Sequence, residues 1–278
     1  MTILSIVNHK GGTGKTTTVV HVAAALGLSG YRTLVIDLDP QGFLTRTLGV
    51  EEPAEEESAL VLFDHQSDIR SVPVRHMKSF DLLPSSTGMT RVMRRLNKPT
   101  DVFWVKESLA NPLDYDVIMI DTAAAMTVFS LNALVACRHV LIPVTPEYQP
   151  VIGAEQTYQT IKLVQDKLNP DLQSPLFLFT QVDARKRVHH AYRKYLRKNY
   201  GDQVMKSIIR TNTALTVSYS DGTTTFDHDP YSRGARDYAN ATDELLSLIL
   251  PAKSQIGDGH TINGVDKQEI GAIREVNV

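Results

Sequence analysis

Ten residues near the N-terminus, Asn8-His9-Lys10-Gly11-Gly12-Thr13-Gly14-Lys15-Thr16-Thr17, constrain this chain more than any other stretch. They follow Ile3-Leu4-Ser5-Ile6-Val7, an apolar run that reads as a buried strand, and precede residues 19–26, which read as a helix. Strand, glycine-rich loop, helix is the context in which a loop binds phosphate. Glycines without a Cβ let backbone N–H groups converge on anionic oxygens. Lys15 is expected to reach the β- and γ-phosphates, and the Thr16 hydroxyl to ligate Mg²⁺. The candidate nucleotide-binding residues are Lys10, Gly11, Gly12, Thr13, Gly14, Lys15, Thr16 and Thr17.

The rest of the chain excludes several classes. With 278 residues, 42% hydrophobic and 22% charged at a net charge of −2, it has the composition of an ordinary globular protein. The single cysteine, Cys137, rules out an internal disulfide framework. One thiolate per chain is also too few for an iron–sulfur cluster, even one shared between two subunits. No apolar run approaches the ~18 residues of a membrane span, and the N-terminus reads as a strand rather than a signal peptide. A cytoplasmic location is expected.

Further strands are expected at 32–37, 80–84, 115–121, 138–144, 176–180 and 204–209, and helices at 128–136, 153–168, 187–200 and 235–250. Strands alternating with helices predict an α/β fold: a doubly wound, mostly parallel sheet flanked by helices. The acidic stretch 51–68 reads as a solvated helix and loop, and Arg91, Arg94, Arg95 and Lys98 form a small basic patch. Residues 251–278 hold four glycines and little periodicity, and read as a flexible polar tail after a domain of residues 1–250. Asp121 ends an apolar strand, a Walker B arrangement suited to holding Mg²⁺ through a water.

The loop is not a plain Walker A motif. His9 stands where that pattern wants glycine, and Lys10 precedes the glycine pair. K-G-G-x-G-K-T-T resembles the deviant P-loop of the ParA/MinD superfamily, most closely its short, Soj-like ParA branch. Asp37-Leu38-Asp39-Pro40-Gln41-Gly42 resembles the family's switch I, and the likeness extends over about residues 2–250. The resemblance implies that Asp39 orients the attacking water and that Asp37 lies near the metal, giving Thr16, Asp37 and Asp121 as the Mg²⁺ set. It implies that Lys10 reaches across a homodimer to the partner's nucleotide, so that Lys10, Lys15 and Asp39 are the catalytic residues of an ATP hydrolase. One departure is plain: where the family commonly has two prolines after the Walker B aspartate, this chain has Ala123-Ala124.

The same resemblance implies DNA partitioning. Asp183-Ala184-Arg185 and Ile209-Arg210-Thr211-Asn212 resemble segments whose arginines contact DNA non-specifically. Residues 185–198 hold seven basic side chains, Arg185, Lys186, Arg187, Arg193, Lys194, Arg197 and Lys198, and no acid. Helical spacing puts Val188, Ala191, Tyr192, Tyr195 and Leu196 on one face and leaves most of the bases on the other. With Arg210 these are the candidate contacts to double-stranded DNA. The implied partner is a ParB-type centromere-binding protein, the implied location the nucleoid, and no membrane is expected. The alternatives are a positioning ATPase for another cargo, a MinD-like membrane ATPase, an electron carrier of the nitrogenase-reductase kind, and a small-molecule kinase. The tail, with no Leu, Phe or Trp, speaks against the second, and the lone cysteine against the third. Lys10 and the Asp39 switch favour water over a metabolite as the acceptor.

Overall fold

The computed structural model describes residues 1–64 and 68–250. The flexible tail expected at 251–278 lies outside the described residues. Eight strands form one sheet: β1 Thr2–Ile6, β2 Thr33–Asp37, β3 Arg75–His76, β4 Asp81–Leu83, β5 Val117–Asp121, β6 His139–Val144, β7 Leu176–Val182 and β8 Val204–Arg210. The helices are α1 Lys15–Leu28, α2 Phe43–Thr47, α3 Met89–Met93, α4 Trp104–Ser108, α5 Val128–Ala136, α6 Tyr148–Lys167, α7 Arg187–Tyr200, α8 Thr213–Ser220, α9 Thr225–His228 and α10 Arg233–Ile249. The strand order is β3-β4-β2-β5-β1-β6-β7-β8, parallel throughout except for the short antiparallel β3. This is the expected doubly wound sheet.

The central strands are buried on both sides, which is why they read as continuous apolar runs. Period-two alternation still sorts their side chains. Leu4 and Ile6 of β1 join the core under α1 and α10, whereas the Ser5 hydroxyl donates to the Ala133 carbonyl of α5 on the opposite face. Gly27 in the last turn of α1 lies against the loop before β4, and a Cβ there would stand 1.6 Å from the Ser79 carbonyl oxygen. Gly27→Ala is therefore expected to cost about 2–3 kcal/mol, because backbone rather than a movable side chain must give way. Thermal unfolding should show a melting temperature lowered by about 5–10 °C; an unchanged melting temperature would contradict the packing.

The other wall of α1 carries His21, fully buried and stacked on Tyr238 of α10 at 4.8 Å between ring centroids. Its Nδ1 lies 2.8 Å from the Thr17 carbonyl and its Nε2 accepts from the Thr225 N–H at 3.1 Å, an arrangement suited to a neutral ring. Burial pushes its pKa down to about 4. Below pH 6.5 the unfolded chain takes up a proton that the folded ring refuses, so His21 stability is whole above that pH and drains away toward pH 4. At pH 5 this loss is about 2 kcal/mol. Buried Asp37, with its pKa raised to about 6, has the opposite sign and partly masks the loss. Denaturant titrations of wild type and His21→Gln at pH 7 and pH 5 separate the two: the stability gap between them should narrow by about 2 kcal/mol on acidification.

The structure departs from expectation in several places. The acidic stretch forms short 3₁₀ turns at Glu55–Glu57 and Ala59–Phe63, and Ala59, Leu60, Val61 and Leu62 are buried rather than solvated. Helix α6 begins at Tyr148, five residues before the expected start at Gly153. Helices α8 and α9 were not anticipated. On α7 the inward face is turned relative to expectation. His189 and Leu196 are buried, while Val188 and Tyr195 stand 48% and 45% exposed. Along the sheet margin, the Glu244 carboxylate of α10 accepts the N–H groups of Lys206 and Ser207 in β8, each at 2.7 Å, and Asp237 accepts that of Arg210 at 2.9 Å.

Candidate nucleotide site

The parallel sheet brings three strand ends together. Asp121 lies in register with Ile6 on one side and with Asp37 on the other, so the P-loop leaves the sheet beside both carboxylates. Ligands of doubly wound sheets bind at this C-terminal edge. The Asn8 side chain, fully buried, fixes the loop's start by donating to the Pro143 carbonyl at 2.7 Å and accepting the Lys10 N–H at 2.9 Å. The His9 N–H donates to the Thr157 hydroxyl of α6. Gly12 and Gly14, at φ 75° and 79°, turn the loop in a region closed to most side chains, and Gly14 opens α1.

Within this frame the Thr16 hydroxyl donates to Asp121 Oδ2 at 2.9 Å, and Lys15 Nζ donates to the Lys10 carbonyl at 3.2 Å. The Lys10 side chain is exposed. Asp37 and Asp121 are fully buried, and desolvation raises the pKa of both; their mutual repulsion pushes Asp121 up further. Burial lowers the Lys15 pKa against the pull of Asp121 and Asp39. Two desolvated carboxylates beside a hydroxyl are a donor set that suits a hard divalent cation, whose charge would relieve their repulsion. Thr16 and Asp121 are the residues here that could hold Mg²⁺. Asp37 is already occupied on both oxygens: Oδ1 accepts the Asp39 N–H, and Oδ2 accepts the Thr45 N–H and hydroxyl at 3.0 and 2.7 Å. Its visible work is to pin the segment carrying Asp39 to α2. Asp39 accepts the Gln41 N–H at 2.9 Å and is itself nearly buried.

Beside the loop a cavity of about 390 Å³ opens between the ends of β7 and β8. Thr180 and Gln181 at the end of β7, Ile209 and Arg210 at the end of β8, and Thr211 and Asn212 just beyond it line the cavity, at the edge where strand order puts ligands. Tyr219 of α8 and Tyr238 of α10 also line it. Sequence reading missed both, because nothing local marks α8 or α10 as a wall of the site.

A family model described as an AAA domain matches residues 1–174. The sporulation initiation inhibitor protein Soj of Bacillus subtilis is 34% identical over 88% of this chain and 98% of its own length. The chain belongs to the Soj/ParA family. The chromosome partitioning protein ParA of Myxococcus xanthus is 32% identical over 90% of this chain and 89% of its own. Among solved structures, cobyrinic acid a,c-diamide synthase from Mycobacterium smegmatis, with a bound ATP analogue and magnesium, superposes at a TM-score of 0.74. It is 30% identical and covers 88% of this chain and 94% of that one.

In this ParA-family chain the basic helix is more differentiated than its composition suggests. The Arg185 guanidinium is bound to Asp183 through Nε and Nη2, at 3.0 and 2.9 Å, and holds that carboxyl well below the usual carboxylate range. Lys186 lies 3.7 Å from Glu147 at the start of α6. Arg193 is half-buried on the inward face, its Nε without a partner, and desolvation lowers its pKa. Arg210 is clasped by Asp237, with Nε 3.0 Å from Oδ2. Among the described residues Arg187, Lys194, Arg197 and Lys198 make no ion pair, and all four are exposed.

Proposed function

We propose that this chain is a Mg²⁺-dependent ATPase for DNA partitioning. It binds ATP, pairs into a two-fold sandwich dimer, holds double-stranded DNA without sequence preference, and lets go when a ParB-type partner stimulates hydrolysis. The observation that carries this reading is the loop itself: Lys15 and the Thr16–Asp121 pair enclosed at the sheet edge, with the Lys10 side chain left exposed to meet a second copy. Residues 1–250 would form the ATPase domain, working in the cytoplasm on the nucleoid. Among the described residues no helix is long and apolar enough to cross a membrane.

In this mechanism Lys15 holds the β- and γ-phosphates, and Thr16 and Asp121 hold the cation. Bound Mg²⁺ supplies neutralisation of phosphate charge. Asp39, pinned through Asp37, orients the water in line with the γ-phosphate, and Lys10 of the opposing copy neutralises charge developing on the leaving oxygen. Ala123 and Ala124 leave the segment after Asp121 less rigid than two prolines would. ATPase assays with and without DNA and a ParB-type protein test the proposal. Turnover that rises with both supports it. A chain that binds ATP but transfers phosphate only to a metabolite, or is indifferent to DNA and partner, does not fit.

The DNA face has its own test. The ATP-bound dimer should bind duplex with log K falling by about 0.9 per phosphate neutralised as log salt rises. Lys194→Ala and Lys198→Ala should each lower that slope, while Arg193→Ala should leave it unchanged and lower stability instead. Equal effects at all three positions would mean that the helix meets DNA by another face.

A further inference from the structure

Two adjacent side chains at the end of β7 reach back to the P-loop. The Thr180 hydroxyl donates to the Thr13 carbonyl at 2.8 Å, and the Gln181 side-chain amide donates to the Gly12 carbonyl at 2.7 Å. Gln181 is the one non-glycine residue at positive φ among the described residues, at 53°. The β7–β8 register shifts between Phe179 and Val182, so the strand is irregular where this residue sits. A glutamine held in the left-handed region is uncommon, and such outliers gather where a site needs them.

We propose that Thr180 and Gln181 are positioning residues for the phosphate loop. A trans peptide is planar, so its C=O and N–H point in opposite directions. Holding the Gly12 carbonyl toward β7 aims the Thr13 N–H away from it, and holding the Thr13 carbonyl aims the Gly14 N–H likewise. In the order β5-β1-β6-β7, away from β7 means toward β5, the side on which Thr16 meets Asp121. Both N–H groups thus turn toward where the phosphates of a nucleoside di- or triphosphate meet the cation. Two hydrogen bonds from a strand about 170 residues downstream set donors that the loop sequence alone leaves free to rotate. This inference rests on the nucleotide-binding reading above.

Calorimetric titration of the full chain with Mg²⁺-ADP and with a non-hydrolysable ATP analogue tests it. Gln181→Gly, whose backbone accepts this φ, should melt no lower than wild type yet bind both nucleotides about tenfold more weakly, and Thr180→Val should weaken binding to a similar extent. Gln181→Glu separates positioning from mere packing. As a carboxylate it restores the bulk of the side chain but cannot donate to the Gly12 carbonyl, so at about pH 8 it should bind both nucleotides no more tightly than Gln181→Gly. Binding by Gln181→Gly and Thr180→Val within about twofold of wild type overturns the inference, as does wild-type affinity in Gln181→Glu. Wild type that binds neither nucleotide overturns the nucleotide-binding reading instead, and this inference with it.

Discussion

Lys10→Ala should bind Mg²⁺-ATP within a few-fold of wild type and lose partner-stimulated hydrolysis by about 10³-fold, the lower end of what a charge supplied in trans contributes. The loop geometry explains why binding should survive. Lys10 serves its own P-loop through its backbone: its N–H donates to Asn8 and its carbonyl accepts from Lys15. Alanine keeps both. Its Cβ packs close to Gly153 of α6, and alanine keeps that carbon too. Only the exposed ammonium is removed. Single-turnover kinetics with separate binding titrations divide the two effects. Mixing Lys10→Ala with a variant unable to bind nucleotide offers a further check: if hydrolysis stays unaffected in Lys10→Ala alone, the lysine has no role across a dimer.

Lys15→Ala is expected to lower affinity for ATP and ADP by at least about 100-fold, since two charge-assisted hydrogen bonds of roughly 1.5–3 kcal/mol each are lost. The same change leaves buried Asp121 without the cation that pulls its pKa down, and that pKa, already raised, should rise further. Relative to wild type, the variant should therefore gain stability as pH falls, because its folded Asp121 takes up a proton more readily. Equilibrium dialysis with labelled ADP and denaturant melts across pH 5–8 measure both. Retained affinity would remove Lys15 from the phosphate site.

Much of the fold was legible because its information is local. Strands buried on both faces announce themselves as apolar runs, and α5 and α7 fall at the residues their periodicity predicts. The P-loop and Asp121 were legible for the same reason, since contiguous residues carry the chemistry. The orientation of α7 was not. Val188, Ala191 and Tyr195 are the obvious apolar stripe, yet the inward face is led by Leu196 and by His189, whose Nδ1 accepts the Asp183 N–H at 3.0 Å. A histidine caught by a backbone donor outside its own helix carries no periodic signature. Helix α8 hid for another reason. Thr213–Ser220 is rich in Thr, Ser, Val and Tyr, all weak helix formers, and the helix is started by the Asn212 side chain accepting the Ala214 N–H. The surroundings of Asp37 were half legible: its place at a strand end sets it beside Asp121, while Thr45, eight residues on, takes one of its oxygens.

The carboxylates along β8 have a consequence of a different kind. β8 is the end of an eight-stranded sheet, and a bare terminal strand would offer a row of donors to any extended segment that drifted past. A protein that gathers in many copies along one polymer would meet such segments constantly. Glu244 and Asp237 take the N–H groups of Lys206, Ser207 and Arg210, so these donors of the terminal strand are already occupied. On the function proposed above, crowding on DNA would then stay reversible. Copies would meet through the nucleotide face of the proposed dimer, and not by adding strands to one another into fibres that no hydrolysis could dissolve.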